Sequence, residues 1–260
     1  MTMRSYPLPS MRNRLTFFVC AILLMFSTGC STSASEKTLL AQKTFEESQN
    51  PGYSKEEKTK KIREAIHIAP KEPMYRVAMG NVYFKNLELD KAERMYLSAI
   101  KVDPEYRGSY RQLGRLYVQK SQWDDAIFYL NQALSFTNVI DPIQLYNWLA
   151  YSHYRKGDLP KAEKAWLKAL DIHDSGQIRL NLALAYKEAE HLNLARTSLL
   201  RALELNPKLL GAHFALGEIY YRDNKFAQAK KHLAEVIQLE PLSEQAKVSK
   251  ELINRMSAQK

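Results

Sequence analysis

An all-α solenoid of paired helices is the fold class that this 260-residue sequence predicts. Small and aromatic residues return about every 34 positions from Leu39 onward, the same small-against-large slots recur in each segment, and prolines close several segments. Segments starting at Leu39, Pro73, Arg107, Ile143, Gly176 and Leu210 lie 34, 34, 36, 33 and 34 residues apart, the length of a helix–turn–helix unit. About six repeats fit, at 39–72, 73–106, 107–140, 143–175, 176–209 and 210–242.

The slots explain the units one by one. In the second, Met79-Gly80 and Tyr83 precede Ala92, Tyr96, Ala99 and Pro104; in the third, Leu113-Gly114 and Tyr117 precede Ala126, Leu130 and Ala133. The fourth carries Leu149-Ala150, Ala162, Trp166 and Ala169, with Tyr154 one place later than the pattern asks. Leu182-Ala183, Tyr186, Ala195, Leu199, Ala202 and Pro207 make the fifth, and Leu216-Gly217, Tyr220, Ala229, Leu233, Val236 and Pro241 the sixth. Gly or Ala in the first helix admits close approach of the second, and the large residue fills the space between. Proline lacks the amide donor and turns the residue before it away from helix, so it ends the second helix in the units that carry one there.

This arrangement strongly resembles the tetratricopeptide repeat (TPR) family, which implies a superhelical solenoid and a protein-binding role. The first unit is degenerate: it keeps Ile62, Ala65 and Pro70, but Phe45-Glu46 stands where a small residue should follow the bulky one. Asn50-Pro51-Gly52 suits the turn between its helices, and the unit is read as an N-terminal cap. From 243 to 260, Ala246, Val248, Leu252, Ile253 and Met256 lie mostly on one face of an expected C-terminal capping helix.

The chain before the repeats is of another kind. Arg12 and Arg14 precede a mostly apolar stretch from Leu15 to Phe26, which runs into Ser27-Thr28-Gly29-Cys30. A dozen residues fall short of the roughly 20 that span a bilayer, so the layout is that of a secretion signal over 1–29. The small residues before Cys30 resemble a bacterial lipobox, with Ser27 where leucine is usual. That resemblance implies an acyl chain on Cys30, a short tether over 30–38 and, with Ser31 following, an outer-membrane lipoprotein facing the periplasm. Met11 opens a more typical leader than Met1 does, so Met1 and Met11 stand as alternative starts. Cys20 would leave with the leader, so the repeats hold no disulfide and rest on helix packing alone.

Removing that leader takes away three arginines and no acid, lowering the formal charge from +10 to +7. A basic surface suits acidic partners or anionic surfaces, although scattered solvated charges would give the same total. No zinc spacing, ribonucleoprotein motif or basic arm points to nucleic acid. The six histidines form no HExxH or CxxC…H pattern, and no phosphate loop or Gly-x-Ser-x-Gly elbow occurs. Asp124-Asp125 and Glu46-Glu47 are adjacent and diverge on a helix. The expectation is a non-enzyme with no metal, no small-molecule substrate and no cofactor beyond the covalent lipid. His153 and His213 fall in first helices as groove or packing residues rather than ligands.

In TPR proteins the first helix of each unit lines a groove. By that resemblance the groove here would include Asn81, Phe84, Lys85, Arg111, Arg115, Asn147, Tyr151, Tyr154, Arg155, Lys187, Tyr221 and Arg222, with Leu184 and Phe214 either facing it or filling space between helices. Aromatics and arginines are hot-spot types, suited to an extended or helical peptide with acidic and apolar side chains. The carboxylate clamp of some cytosolic TPR proteins is not reproduced, since Val77 stands where it uses lysine. Lipobox plus repeats resembles the type IV pilus pilotin group, implying a role in secretin assembly and a secretin or other envelope subunit as partner. Two features of that group, an Asn-Asn-Tyr-Gly run and paired cysteines, are missing, and Leu145-Tyr146-Asn147-Trp148-Leu149-Ala150 occupies the place of the first. The alternatives are a general envelope scaffold for peptidoglycan enzymes or an export system and, further off, a cytosolic co-chaperone or an enzyme subunit.

Overall fold

Thirteen helices and no strand make up residues 34–258, which the structure, a computed structural model, describes. The expected leader over 1–29 and Cys30 lie outside the described residues. The helices are α1 (34–48), α2 (Lys55–Ile68), α3 (Pro73–Lys85), α4 (Leu89–Val102), α5 (Arg107–Gln119), α6 (Trp123–Ser135), α7 (Pro142–Arg155), α8 (Leu159–Ile172), α9 (Gly176–Glu188), α10 (Leu192–Leu205), α11 (Leu210–Arg222), α12 (Phe226–Leu239) and α13 (Glu244–Ala258). The fold is the expected all-α solenoid of helix pairs. Helix α1 starts at 34, so it takes in the last residues expected to form the tether.

The chain divides into two compact units, one ending at Ser109 and the other starting at Tyr110, within α5. In the first, Ala41, Ile62, Ala65, Tyr75 and Met79 form the core, with the Phe45 ring 5.2 Å from that of Tyr75. Phe45 thus serves as packing in the degenerate repeat. Ser54 and Glu57 close a capping box on α2: the Ser54 hydroxyl accepts from Glu57 N at 3.2 Å and Glu57 accepts from Ser54 N at 2.7 Å. A methyl at Gly80 would run into the Tyr96 ring, which is why this slot is small.

In the second unit α7 packs on α8, α9 on α10 and α11 on α12, and each pair stacks on the next. Gly114 shows the same close approach, since a Cβ there would stand 2.6 Å from Leu130 Cδ2. Trp166, Leu199 and Leu233 fill the equivalent large slot and are all but fully buried, each contributing about 1.5–3 kcal/mol through burial. Helix α13 covers the last pair with Ala246, Ser249 and Met256, whereas Val248, expected on that face, is exposed.

One turn is built five times. The second residue after the first helix of five pairs is left-handed: Leu87 (φ 60°), Ser121 (57°), Gly157 (83°), Glu190 (63°) and Asn224 (57°). The next amide then donates back six residues counted inclusively, from Glu88 to Tyr83 O, Gln122 to Tyr117 O, Asp158 to His153 O, His191 to Tyr186 O and Lys225 to Tyr220 O, at 2.8–3.0 Å. Only Gly157 adopts this conformation without the cost of about 1–2 kcal/mol that an L side chain carries. The second helices end as expected, with Ala69, Asp103, Asn206 and Glu240 leaving helical geometry just before prolines.

Candidate partner-binding groove

Asn147, Tyr151 and Tyr154 share one face of α7 because three- and four-residue steps return to the same side of a helix. With Trp148 on α7, Trp166 on α8, Asn181, Leu184, Lys187 and Glu188 on α9 and Glu190 in the following turn, they line a groove of about 780 Å³. Its floor is built on Asn147. Trp166 Nε1 donates to Asn147 Oδ1 at 3.0 Å, and Asn181 Nδ2 donates to the same oxygen at 3.0 Å. An indole N–H can only donate, so it fixes the amide orientation and uses both lone pairs of Oδ1 together with Asn181. The Asn147 amide hydrogens are left to face the groove. Gln177 Nε2 in turn donates to Asn181 Oδ1 at 3.2 Å.

Four of the residues expected from the sequence, Asn147, Tyr151, Tyr154 and Lys187, meet in this groove. Arg155 flanks it: its Nη1 donates to Tyr151 Oη at 2.8 Å while the guanidinium lies 5.0 Å from the Trp123 ring centroid. Leu184, which the sequence left between groove and packing, lines the groove and is 41% exposed. Tyr221 lies on α11 with its ring 6.1 Å from Phe226, and Phe214 is half-buried on the same helix. Arg115 is exposed on α5. Asn81, Phe84 and Lys85 belong to α3 of the first unit, where Asn81 Oδ1 accepts from Tyr96 Oη at 2.9 Å, repeating the link between a groove amide and the large slot of the second helix.

The cations differ from the expectation in one respect, because three of the six already hold acids of neighbouring repeats. Lys187 pairs with Glu218, Arg222 with Glu190, and Arg111 Nη2 with Asp141 Oδ2 at 3.1 Å. Hydrogen bonding and charge from Arg222 hold the Glu190 carboxyl below its ordinary value. Exposed pairs of this kind add little to stability because solvent screens them, and here their effect is to offset charge on the rim. What remains open is aromatic, with the amide donors of Asn147 in its floor.

Trp166 and Asn181 were absent from the sequence-derived groove set. Asn181 could have been found by stepping one period of 34 on from Asn147. Trp166 could not, since its slot reads as packing and its tie to the groove is the hydrogen bond from Nε1 to Asn147. His213 is buried, its Nε2 donating to Pro207 O at 2.9 Å and its Nδ1 lying 3.1 Å from His232 Nδ1. Among the described residues no group of three or more His, Cys, Asp or Glu could hold a metal ion, and no helix is long and apolar enough to cross a membrane.

Tetratricopeptide repeat models match residues 77–142, 112–177, 176–209 and 211–243, well over half of the chain. The chain is a TPR protein. Among solved TPR structures it is similar to PilW, described as a widely conserved type IV pilus biogenesis factor, with a TM-score of 0.69 and 17% identity over 83% of this chain and 97% of that one. It is also similar to PilF of Pseudomonas aeruginosa, with a TM-score of 0.64 and 14% identity over 89% of this chain and all of that one. By sequence, the TPR region is 24% identical over 163 residues to the Hsp70-Hsp90 organising protein of Plasmodium falciparum, of whose length it spans 28%. At these identities the likenesses establish the TPR fold. TPR units are protein-interaction modules.

Proposed function

We propose that this chain is a non-catalytic, lipid-tethered adaptor of the bacterial envelope that holds a segment of a partner protein across the Asn147–Asn181 groove. The observation that carries the binding role is the groove itself: aromatic walls from Trp148, Tyr151 and Tyr154, a floor amide with hydrogens to donate, and cations already matched by acids. Such a surface favours an extended or helical segment that supplies apolar side chains and a carbonyl acceptor, more than one recognised by charge alone. The tether is the acyl group expected on Cys30, where buried methylenes contribute about 0.8 kcal/mol each.

Secretin assembly in type IV pilus biogenesis is the specific role proposed, supported by the lipobox-like leader together with similarity to PilW and PilF over most of the chain. A deletion strain scored for surface pili and secretin multimers tests it. Loss of both, restored by the wild-type chain and not by a Tyr151→Ala, Tyr154→Ala double variant, is the expected result; normal multimers in the deletion strain would overturn the pilus role and leave the general envelope scaffold. Labelling with a palmitate analogue tests the tether, with label expected in the membrane fraction and absent from Cys30→Ser.

A further inference from the structure

A second cleft, of about 420 Å³, opens between α6, α7 and α8 and shares no lining residue with the groove. Its origin lies in one slot. Where the other repeats carry Tyr83, Tyr117, Tyr186 and Tyr220, the fourth carries His153, and the tyrosine one place later, Tyr154, has gone to the groove. In the second unit the slot tyrosines are 5–7% exposed and fill the space between helices. The smaller imidazole leaves that space open, with Leu134 and Leu149 at its base.

The cleft has a one-sided charge. Lys161, Lys164 and Lys168 line it from α8, and no carboxylate does. Lys161 is paired with Asp158 at 2.6 Å, Lys168 lies 5.4 Å from the centroid of the Tyr146 ring, and Lys164 has no acidic partner among the described residues. Burial holds the His153 imidazole below its ordinary value, with Asp158 opposing and Lys161 and Lys156 adding to the effect. Burial thus opposes charge on the ring, whose nitrogens offer hydrogen bonds. The lysine row is particular to this repeat: one period on, the same places hold Leu194, Thr197 and Arg201, and the last pair carries Gln228, Lys231 and Glu235. A merely solvated face would mix polar types and signs in this way; two unmatched ammonium groups one helical turn apart, above an apolar base, do not.

We infer that this cleft is a second docking site, for an acidic peptide segment of a partner protein that sets carboxylates on Lys164 and Lys168 and an apolar side chain over Leu134 and Leu149. The site is independent of the groove, so a chain occupied at both could hold two partners or two parts of one.

Selection from a random peptide display library on the full chain, on Lys164→Glu/Lys168→Glu and on His153→Tyr tests this. His153→Tyr restores the residue type that four other repeats carry and fills the cleft without touching the lysines, while both lysines are exposed and their reversal leaves the core untouched. The full chain is expected to enrich Asp- and Glu-rich sequences containing an apolar residue, with recovery of those clones falling roughly tenfold or more on both variants and unchanged on Tyr151→Ala. Absence of acidic enrichment overturns the proposal, as does equal recovery on either variant. Loss on the lysine variant alone would place the peptides on an open basic surface and overturn the cleft. Binding of phosphatidylglycerol vesicles without peptide enrichment would assign the lysines to a membrane and overturn the peptide occupant. Thermal melts of the variants separate loss of binding from loss of fold.

Discussion

Asn181 Nδ2 donates to Asn147 Oδ1 at 3.0 Å, joining residues 34 positions apart in the chain. The bond ties equivalent positions of successive repeats to each other and, through Trp166, to the helix behind them. The same amide therefore aligns two repeats and forms the floor of the groove.

Replacing Asn147 with leucine is expected to destabilise the chain by about 1–3 kcal/mol, because the indole N–H of almost fully buried Trp166 loses its acceptor. Asn147→Asp, which keeps an acceptor at that place, should recover part of the loss. Urea unfolding of the three chains checks the order, and equal stability of wild type and the leucine variant would contradict it.

The repeated left-handed turn makes a prediction of opposite sign. Leu87 has φ 60° and is 74% exposed, so Leu87→Gly removes backbone strain without removing packing. Relief of about 1–2 kcal/mol, offset by roughly 0.4–1 kcal/mol of greater unfolded-state freedom, leaves a net gain of about 0–1.6 kcal/mol, centred near 1. Gly157→Ala should lose about 1 kcal/mol by the same reasoning. Melting temperatures that move the other way in either variant would show that this turn is not strained.

Acid should weaken the last repeats through the His213–His232 pair. Burial, with His213 and Lys231 adding and Glu235 opposing, pushes the His232 imidazole from 6.5 down to about 4. The folded value lies below the ordinary one, so the unfolded chain takes up its proton first as pH falls. The contribution is complete above about pH 6.5 and lost progressively toward pH 4, an effect of about 1–2 kcal/mol after allowance for the ring's partial exposure. Denaturant titrations of wild type and His232→Asn between pH 7.5 and 4 should show the variant losing less; parallel curves would remove His232 as the cause.

Overfilling a small slot should be costly at once. Gly114→Val places methyl groups against Leu130, whose Cδ2 would already stand 2.6 Å from a Cβ, and is expected to cost about 1–3 kcal/mol. A calorimetric melt unchanged from wild type would mean that α5 and α6 separate more easily than their contact implies.

Much of the fold was legible because each repeat repeats its physics. Gly80, Gly114, Ala150, Ala183 and Gly217 mark close approach in plain sequence, and Pro104, Pro207 and Pro241 mark where helices stop. Asn147, Tyr151 and Tyr154 followed from the resemblance to TPR proteins, which implies the groove-facing places of each first helix. The turn geometry did not follow: of five left-handed residues only Gly157 announces itself, while Leu87, Ser121, Glu190 and Asn224 are held there by the helices on either side. The cations could be placed but not paired, since Lys187 meets Glu218 and Arg222 meets Glu190 only once the repeats stack.

The sequence by itself therefore determined the period and the helix pairs, because local sterics and amphipathic spacing are written within single repeats, and the groove face came from the resemblance to TPR proteins. Tertiary structure alone decided which charges remain open to a partner and where unfilled space lies. Both depend on what the neighbouring repeat presents: Glu218 closes off Lys187 in the groove, and α6 and α8 leave room over His153 that a tyrosine would have taken.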